Sequence, residues 1–158
     1  MSNFKDAIGI TFASSMLPIE RGKIREFSTA LLDDSPVYRN RLMAQAAGLP
    51  DMPIPITFPI CAQLYSDSGG AAISQLIEMG MLERGFVLHG EQEFSYHRPV
   101  FADEEFTVNQ KVVDAYQKEN ASGGTMTFFV IESEFIGTDA RTAFTAKSIV
   151  IEKRPPLK

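Results

Sequence analysis

A chain of 158 residues with 44% hydrophobic and 22% charged side chains is sized for one domain with a buried core. Its formal charge of −5 excludes the basic face that a nucleic-acid partner demands. One cysteine excludes a disulfide framework and a cysteine-based metal site within one chain, and two histidines argue against a histidine-rich one.

The opening residues, Met1 to Gly9, carry an early acid and no long apolar run, so they make a poor secretory signal. No stretch reaches the roughly 18 apolar residues of a membrane span. The expectation is a soluble, cytoplasmic protein with no membrane partner. After Pro18, the apolar positions Ile24, Phe27, Ala30 and Leu31 recur at helical spacing and predict one helix with a single inward stripe. Asp33-Asp34-Ser35-Pro36 breaks it, because the residue before a proline avoids helical backbone. A second helix is predicted over Val37–Ala47, with Leu42, Met43 and Ala46 inward and Gly48 as a left-handed stop.

Three prolines between Leu49 and Ile56 predict a stiff, extended loop. Thr57-Phe58-Pro59 then resembles a helix start. A central apolar helix is predicted over residues 58–82, with Ile60, Leu64, Ile73 and Leu76 as its core stripe and a break at Ser66–Gly70. Cys61 lies among apolar neighbours, where a buried inert thiol is expected.

From Phe86 the period falls to two. Strands are predicted around Phe94–Tyr96, Phe106–Asn109, Met126–Phe135 and Thr142–Ile151, with turns at Asn120–Gly124 and Gly137–Ala140. The last two strands read as about 10 to 14 residues, longer than the usual 5 or 6. Long strands curl as twist accumulates, and the apolar helix is what they have to wrap. Periodicity therefore predicts an α+β layer arrangement in one domain, residues 1–158, with Arg154–Lys158 as a frayed tail.

On their own, Asp33, Asp34 and Ser35 read as a polar turn, with Ser35 or Asp34 capping the next helix. Tyr38 reads as an aromatic packing a helix start, Thr57 as a helix cap, and His89 and His97 as hydrogen-bonded strand residues. His97 is the better functional candidate of the two because it adjoins Arg98-Pro99 at a strand end. No nucleotide loop, Ser-His-Asp order or other cofactor motif stands out, so no cofactor and no metal are expected.

The stretch Phe27 to Tyr38 resembles the signature of MaoC-like hydratases and dehydratases, whose pattern is an aromatic, a short helical run, then Gly-Asp-x-Asn-Pro-hydrophobic-His. Asp33 falls on the family's aspartate, Pro36 on its proline and Val37 on its hydrophobic position. Leu32 replaces the glycine, Ser35 the asparagine and Tyr38 the histidine. Pro55-Ile56-Thr57-Phe58 resembles the family's loop into the central helix. Leu88 to Pro99 resembles a strand of its FAS1-like branch, and Asp103-Glu104 stand where Gly-Asp is commoner. The resemblance spans roughly residues 15–152 and implies a hot-dog fold, a long curled antiparallel sheet wrapped around a central helix.

The resemblance implies acyl-thioester chemistry on coenzyme A or acyl carrier protein. Adding water to a 2-enoyl thioester needs a base for the water, an acid for C2, and donors for the developing enolate oxygen. The family's Asp and His do the proton work. Asp33 and Tyr38 hold those places here, with His97 as a further catalytic candidate and Ser35, Pro55, Thr57 and Phe58 as substrate-binding candidates. A tyrosine near its ordinary pKa of about 10 is a poor base at neutral pH. Such domains pair edge to edge as homodimers or heterodimers with a second hot-dog subunit. The leading expectation is an accessory, substrate-binding subunit of an (R)-specific 3-hydroxyacyl dehydratase or enoyl hydratase system. Its alternatives are a self-sufficient homodimeric hydratase using Asp33, and a non-catalytic acyl-CoA sensor or structural protein.

Overall fold

The front half of the chain supplies a short strand and helices; the back half supplies the sheet. The computed structural model describes residues 3–61, 71–82, 87–119 and 123–154. In chain order these form β1 (Ser15–Pro18), α1 (Arg21–Ala30), α2 (Arg41–Ala46), α3 (Ala71–Glu78), β2 (Val87–Tyr96), β3 (Glu105–Glu119), β4 (Thr125–Gly137) and β5 (Thr142–Arg154). The strands make one five-stranded sheet in the order β1-β3-β4-β5-β2, every neighbour antiparallel. The architecture is α+β.

β4 shows why these residues make a sheet. Thr127, Phe129, Ile131, Ser133 and Phe135 are buried on one face, while the residues between them are half-buried on the other. The inward residues of the long strands divide into two apolar clusters. One holds Val108, Phe135, Phe144 and Ala146 against Ile24 of α1, Ala44 of α2 and Ile54 and Phe58 of the proline-rich loop. The other holds Val112, Phe129, Ile131 and Val150 against Ala72 and Leu76 of α3. Between the clusters each long strand places one polar residue: Gln110, Ser133, Ser148 and Gln92.

The last two strands are each 13 residues long and meet through a turn in which the Gly137 amide donates to the Arg141 carbonyl at 2.9 Å. Gly48 stops α2 with φ +83°, a left-handed conformation that suits glycine. Cys61 is buried. No helix among the described residues is long and apolar enough to cross a membrane.

Several expectations need correction. The inward stripe of α1 is Ile24, Phe27 and Ser28; Ala30 and Leu31 are exposed, because α1 ends there and the chain turns away. The predicted helix over Val37–Ala47 is a 3-10 turn at Pro36–Tyr38 followed by α2 alone, restarted by the Asn40 side chain accepting from the Leu42 amide at 2.8 Å. That restart rotates the face: Ala44 points inward, whereas Leu42 is 71% exposed, and Met43 and Ala46 are also exposed. Ile60 is exposed, so the core stripe of the central segment runs through Leu76 with half-buried Ile73. Residues 58–61 form a 3-10 turn, and Leu64, the break at 66–70 and the turn residues 120–122 lie outside the described residues. Arg154 is the last residue of β5 rather than part of a tail. β1 was not legible, being only four residues long with a single buried side chain, Leu17.

Candidate functional site

α1 ends in a left-handed reversal that delivers Asp33. The Leu32 amide donates to the Thr29 carbonyl and the Asp33 amide to the Ser28 carbonyl, with Leu32 at φ +59°. This is the helix stop that ordinarily carries glycine. Asp103, the other position where the family pattern has glycine and this chain does not, is also left-handed, at φ +67°. At both positions the backbone holds the left-handed conformation that glycine adopts most easily.

Asp33 then folds the chain onto itself. Its Oδ1 accepts from the Ser35 amide at 2.9 Å, and the Tyr38 amide donates to the Ser35 carbonyl at 3.2 Å. Ser35 is the N-cap residue of the 3-10 turn at Pro36–Tyr38, but no side chain caps that turn: Asp33 closes a tight turn onto the Ser35 amide, and Asp34 pairs with Arg39 at 2.8 Å. Arg39 also donates to the Asp33 carbonyl at 3.2 Å. Asp33, Ser35 and Tyr38 are thus brought together on one half-buried turn. The Asp33 Oδ2 has no hydrogen-bond partner among the described residues.

The Tyr38 phenol is held above its ordinary pKa, first by burial and then by the neighbouring Asp33 carboxylate. It stays protonated through the neutral range, where it is a hydrogen-bond donor and no base. Val37 and Tyr38 pack against the cluster that contains Ile54 and Phe58.

The proline-rich loop forms the neighbouring wall. Phe58 is buried and meets Phe27 edge-on at 5.4 Å; Pro55 is buried and Thr57 exposed. The Tyr96 hydroxyl at the end of β2 donates to the Ile56 carbonyl at 2.9 Å, and its ring stacks on Phe144 at 5.1 Å. Burial pushes the Tyr96 phenol far above its ordinary value.

Beside this junction lies a mainly apolar cavity of about 470 Å³, lined by Pro53, Ile54, Ile56, Tyr96, His97 and Arg98 among others. His97 is therefore on the wall of a cavity whose lining includes neither Asp33 nor Tyr38. Arg98 is fixed by Glu104 at 2.6 Å and lies over the Phe106 ring at 5.6 Å, which anchors the end of β2. Sequence reading missed Pro53, Ile54 and Tyr96 as lining; the alternation through Phe94 and Tyr96 was the available signal for the last. Among the described residues no three His, Cys, Asp or Glu side chains come together to hold an ion. The turn offers an oriented carboxylate and a neutral phenol: one proton acceptor and one hydrogen-bond donor.

Residues 6–145 match the family described as FAS1-like, dehydratase domain region. A UPF0336 protein of Saccharopolyspora erythraea is 34% identical over 135 residues, spanning 85% of this chain and 81% of that protein. Among solved structures, a chain of the C-terminally truncated HadBC (3R-hydroxyacyl-ACP dehydratase) complex from Mycobacterium tuberculosis matches with a TM-score of 0.70 at 18% identity, over 94% of this chain and 99% of that one. A MaoC-like dehydratase matches with a TM-score of 0.75 at 18% identity, over 95% of this chain and 43% of that one. At such identities these two structures speak to the fold, which is the hot-dog fold.

Proposed function

We propose that this chain, which belongs to the FAS1-like dehydratase family, is the acyl-thioester-binding, accessory subunit of an (R)-specific 3-hydroxyacyl dehydratase or enoyl hydratase system. The observation that carries the reading is Tyr38. By resemblance to the family motif it falls at the histidine position, and burial beside Asp33 keeps it protonated. Asp33 meanwhile spends one oxygen on the Ser35 amide. Losing one of two acid/base partners typically costs about 10²–10⁴ in rate. The remaining carboxylate and phenol suit holding a thioester better than turning it over.

Support for a mate comes from two sides. The HadBC protein is a complex, and the MaoC-like dehydratase is more than twice as long as the part this chain matches. In the sheet, β2 is an outer strand of 10 residues with one side unpaired among the described residues, the kind of edge proteins cover. A second hot-dog subunit bearing an intact Asp/His pair fits that edge, with the acyl-thioester, on coenzyme A or acyl carrier protein, bound at the seam.

The test is hydration of crotonyl-CoA by the purified chain alone and then with a co-expressed hot-dog chain that carries the full Gly-Asp-x-Asn-Pro-x-His motif. Silence alone and turnover in the pair support the accessory role. Robust turnover by the chain alone, abolished by Asp33→Asn, replaces it with the self-sufficient hydratase. Stabilisation by acyl-CoA with no turnover in either setting replaces it with a sensor.

A further inference from the structure

β2 carries an irregularity with a consequence for the seam. Its pairing with β5 runs Leu88 to Ile151 and His89 to Val150, then skips Gly90 and resumes with Glu91 opposite Ile149 and Gln92 opposite Ser148. Gly90 is the extra residue of a β-bulge. A Cβ there would lie 2.6 Å from Ile151 Cδ1 and 3.2 Å from the Ile149 carbonyl oxygen, so the bulge is built around glycine. In a regular strand, residues 89 and 92 face opposite sides of the sheet. The bulge puts both opposite inward-facing partners.

There they form a relay. The Ser148 hydroxyl donates to Gln92 Oε1 at 2.6 Å, and His89 Nε2 contacts the same oxygen at 3.2 Å. With the Gln92 amide nitrogen directed to the Glu93 carbonyl at 3.5 Å, Oε1 is the atom that both contacts reach. In the neutral tautomer that donates from Nε2 to this oxygen, Nδ1 carries the lone pair and meets no partner among the described residues. Ser148 is 6% exposed, whereas His89 is exposed. The relay starts in the polar row between the two apolar clusters and surfaces at the open edge.

Laying β2 antiparallel against a strand of equal length on a partner of the same fold sets the third residue from one end opposite the third from the other. His89 then faces the position that Phe94 holds in this chain. Phe94 packs on the same cluster as Tyr38 and Tyr96. The edge histidine of one subunit thus arrives at the acid/base turn end of the other.

We infer that His89, oriented by Gln92 and Ser148, reaches across the seam and accepts a hydrogen bond from an amide N–H of the pantetheine arm of a thioester bound in the partner's half of the site. Pantetheine is the chemistry that coenzyme A and acyl carrier protein share, and its amides are its only N–H donors. The inference rests on the paired arrangement proposed above. His89 is a binding group there and carries no proton in the reaction.

The experiment uses the assembled pair and compares native, His89→Ala and His89→Gln chains. The glutamine keeps a donor near the Nε2 position for Gln92 but offers no outward acceptor in place of Nδ1. Size-exclusion chromatography reads assembly, and steady-state kinetics are run with crotonyl-CoA and with crotonyl-acyl carrier protein. The substrate with the lower native KM identifies the carrier. With it, both variants are expected to assemble normally and to raise KM about five- to tenfold, the size of one lost hydrogen bond, with kcat within about twofold. A native KM in either variant overturns the inference, as does rescue by glutamine, while turnover in the native pair leaves the accessory role standing. A chain that assembles with no dyad-bearing partner overturns both.

Discussion

Tyr96 and Ile56, 40 residues apart, are joined by one hydrogen bond of 2.9 Å from the tyrosine hydroxyl to the isoleucine carbonyl. That bond ties the last residue of β2 to the proline-rich loop, and the cavity beside His97 is the space between them.

Tyr96→Phe keeps the stack on Phe144 and removes only the hydroxyl. The Ile56 carbonyl then loses its protein partner at an exposed junction, where water replaces the bond only in part. A destabilisation of about 1 kcal/mol is expected by urea denaturation, together with faster amide exchange at Ile54, whose N–H is bonded to the Val100 carbonyl across the same junction. Unchanged stability and exchange would show that the loop is held by its prolines alone.

Tyr38→His puts a titratable base next to Asp33. Combined with Ser35→Asn, it is expected to raise crotonyl-CoA hydration by the isolated chain about 10²-fold above the native background. Asp33→Asn in the same background should return the rate to that level. A variant that folds and stays silent would place the missing machinery in the second subunit entirely.

Leu32 is 88% exposed and holds φ +59°, so its side chain contributes little packing while its backbone is strained. Left-handed backbone costs a non-glycine residue about 1–2 kcal/mol, and glycine's extra unfolded-state freedom returns roughly 0.5–1 kcal/mol of that. Leu32→Gly is therefore expected to stabilise the chain by about 0.5–1 kcal/mol. Leu32→Val, β-branched in the same conformation, should destabilise it. A thermal melt that ranks valine above glycine would contradict the helix stop described for α1.

Asp51 joins Arg21 at 2.7 Å and Arg41 at 3.2 Å, linking α1, α2 and the loop, while Arg21 also holds Asp103. The Arg21 hydrogen bond keeps the Asp51 carboxyl below the ordinary carboxylate pKa despite its burial, with the Met52 amide helping. A depressed folded-state pKa gives stability that is complete above the unfolded value, near 3.9, and is lost as pH falls through the folded one. The stability gap between native and Asp51→Asn chains should be flat from about pH 5 to 7 and close below about pH 4. A gap that persists at pH 2 would assign the loss to packing.

Gly90→Ala forces the new methyl against Ile151, whose flexible end gives way, and against the Ile149 carbonyl, which does not. About 1 kcal/mol of destabilisation is expected, with exchange protection lost first at the β2–β5 pairing around His89. Uniform loss of protection across the sheet would mean that the bulge is not a local device.

Much of the architecture was legible because it follows from local rules. The two final strands announced themselves by β-branched and aromatic alternation, and Gly48 and the Gly137–Ala140 turn stand where such residues belong. The orientation of α2 was not legible. Leu42 and Met43 look like core residues only if a surface covers them, and in the lone chain none does. Hydrophobicity marks what wants to be covered without saying by what. Asp33 was found through its place in a recognisable motif, but its bond to the Ser35 amide depends on the Leu32 reversal, which no propensity predicts for leucine. The His89 relay escaped for a similar reason: a single-residue bulge changes which side chains share a face.

The bare margin of β2 also bears on how much of this protein a cell can tolerate. A surplus copy is an invitation for strand-to-strand zipping, and the segment Val87–Tyr96 contains neither lysine nor proline to interrupt it. Its safeguards are the kink at Gly90 and the acids Glu91 and Glu93, whose like charges oppose self-association. Swapping both acids for neutral residues removes that repulsion and is expected to raise strand-to-strand association, read by light scattering.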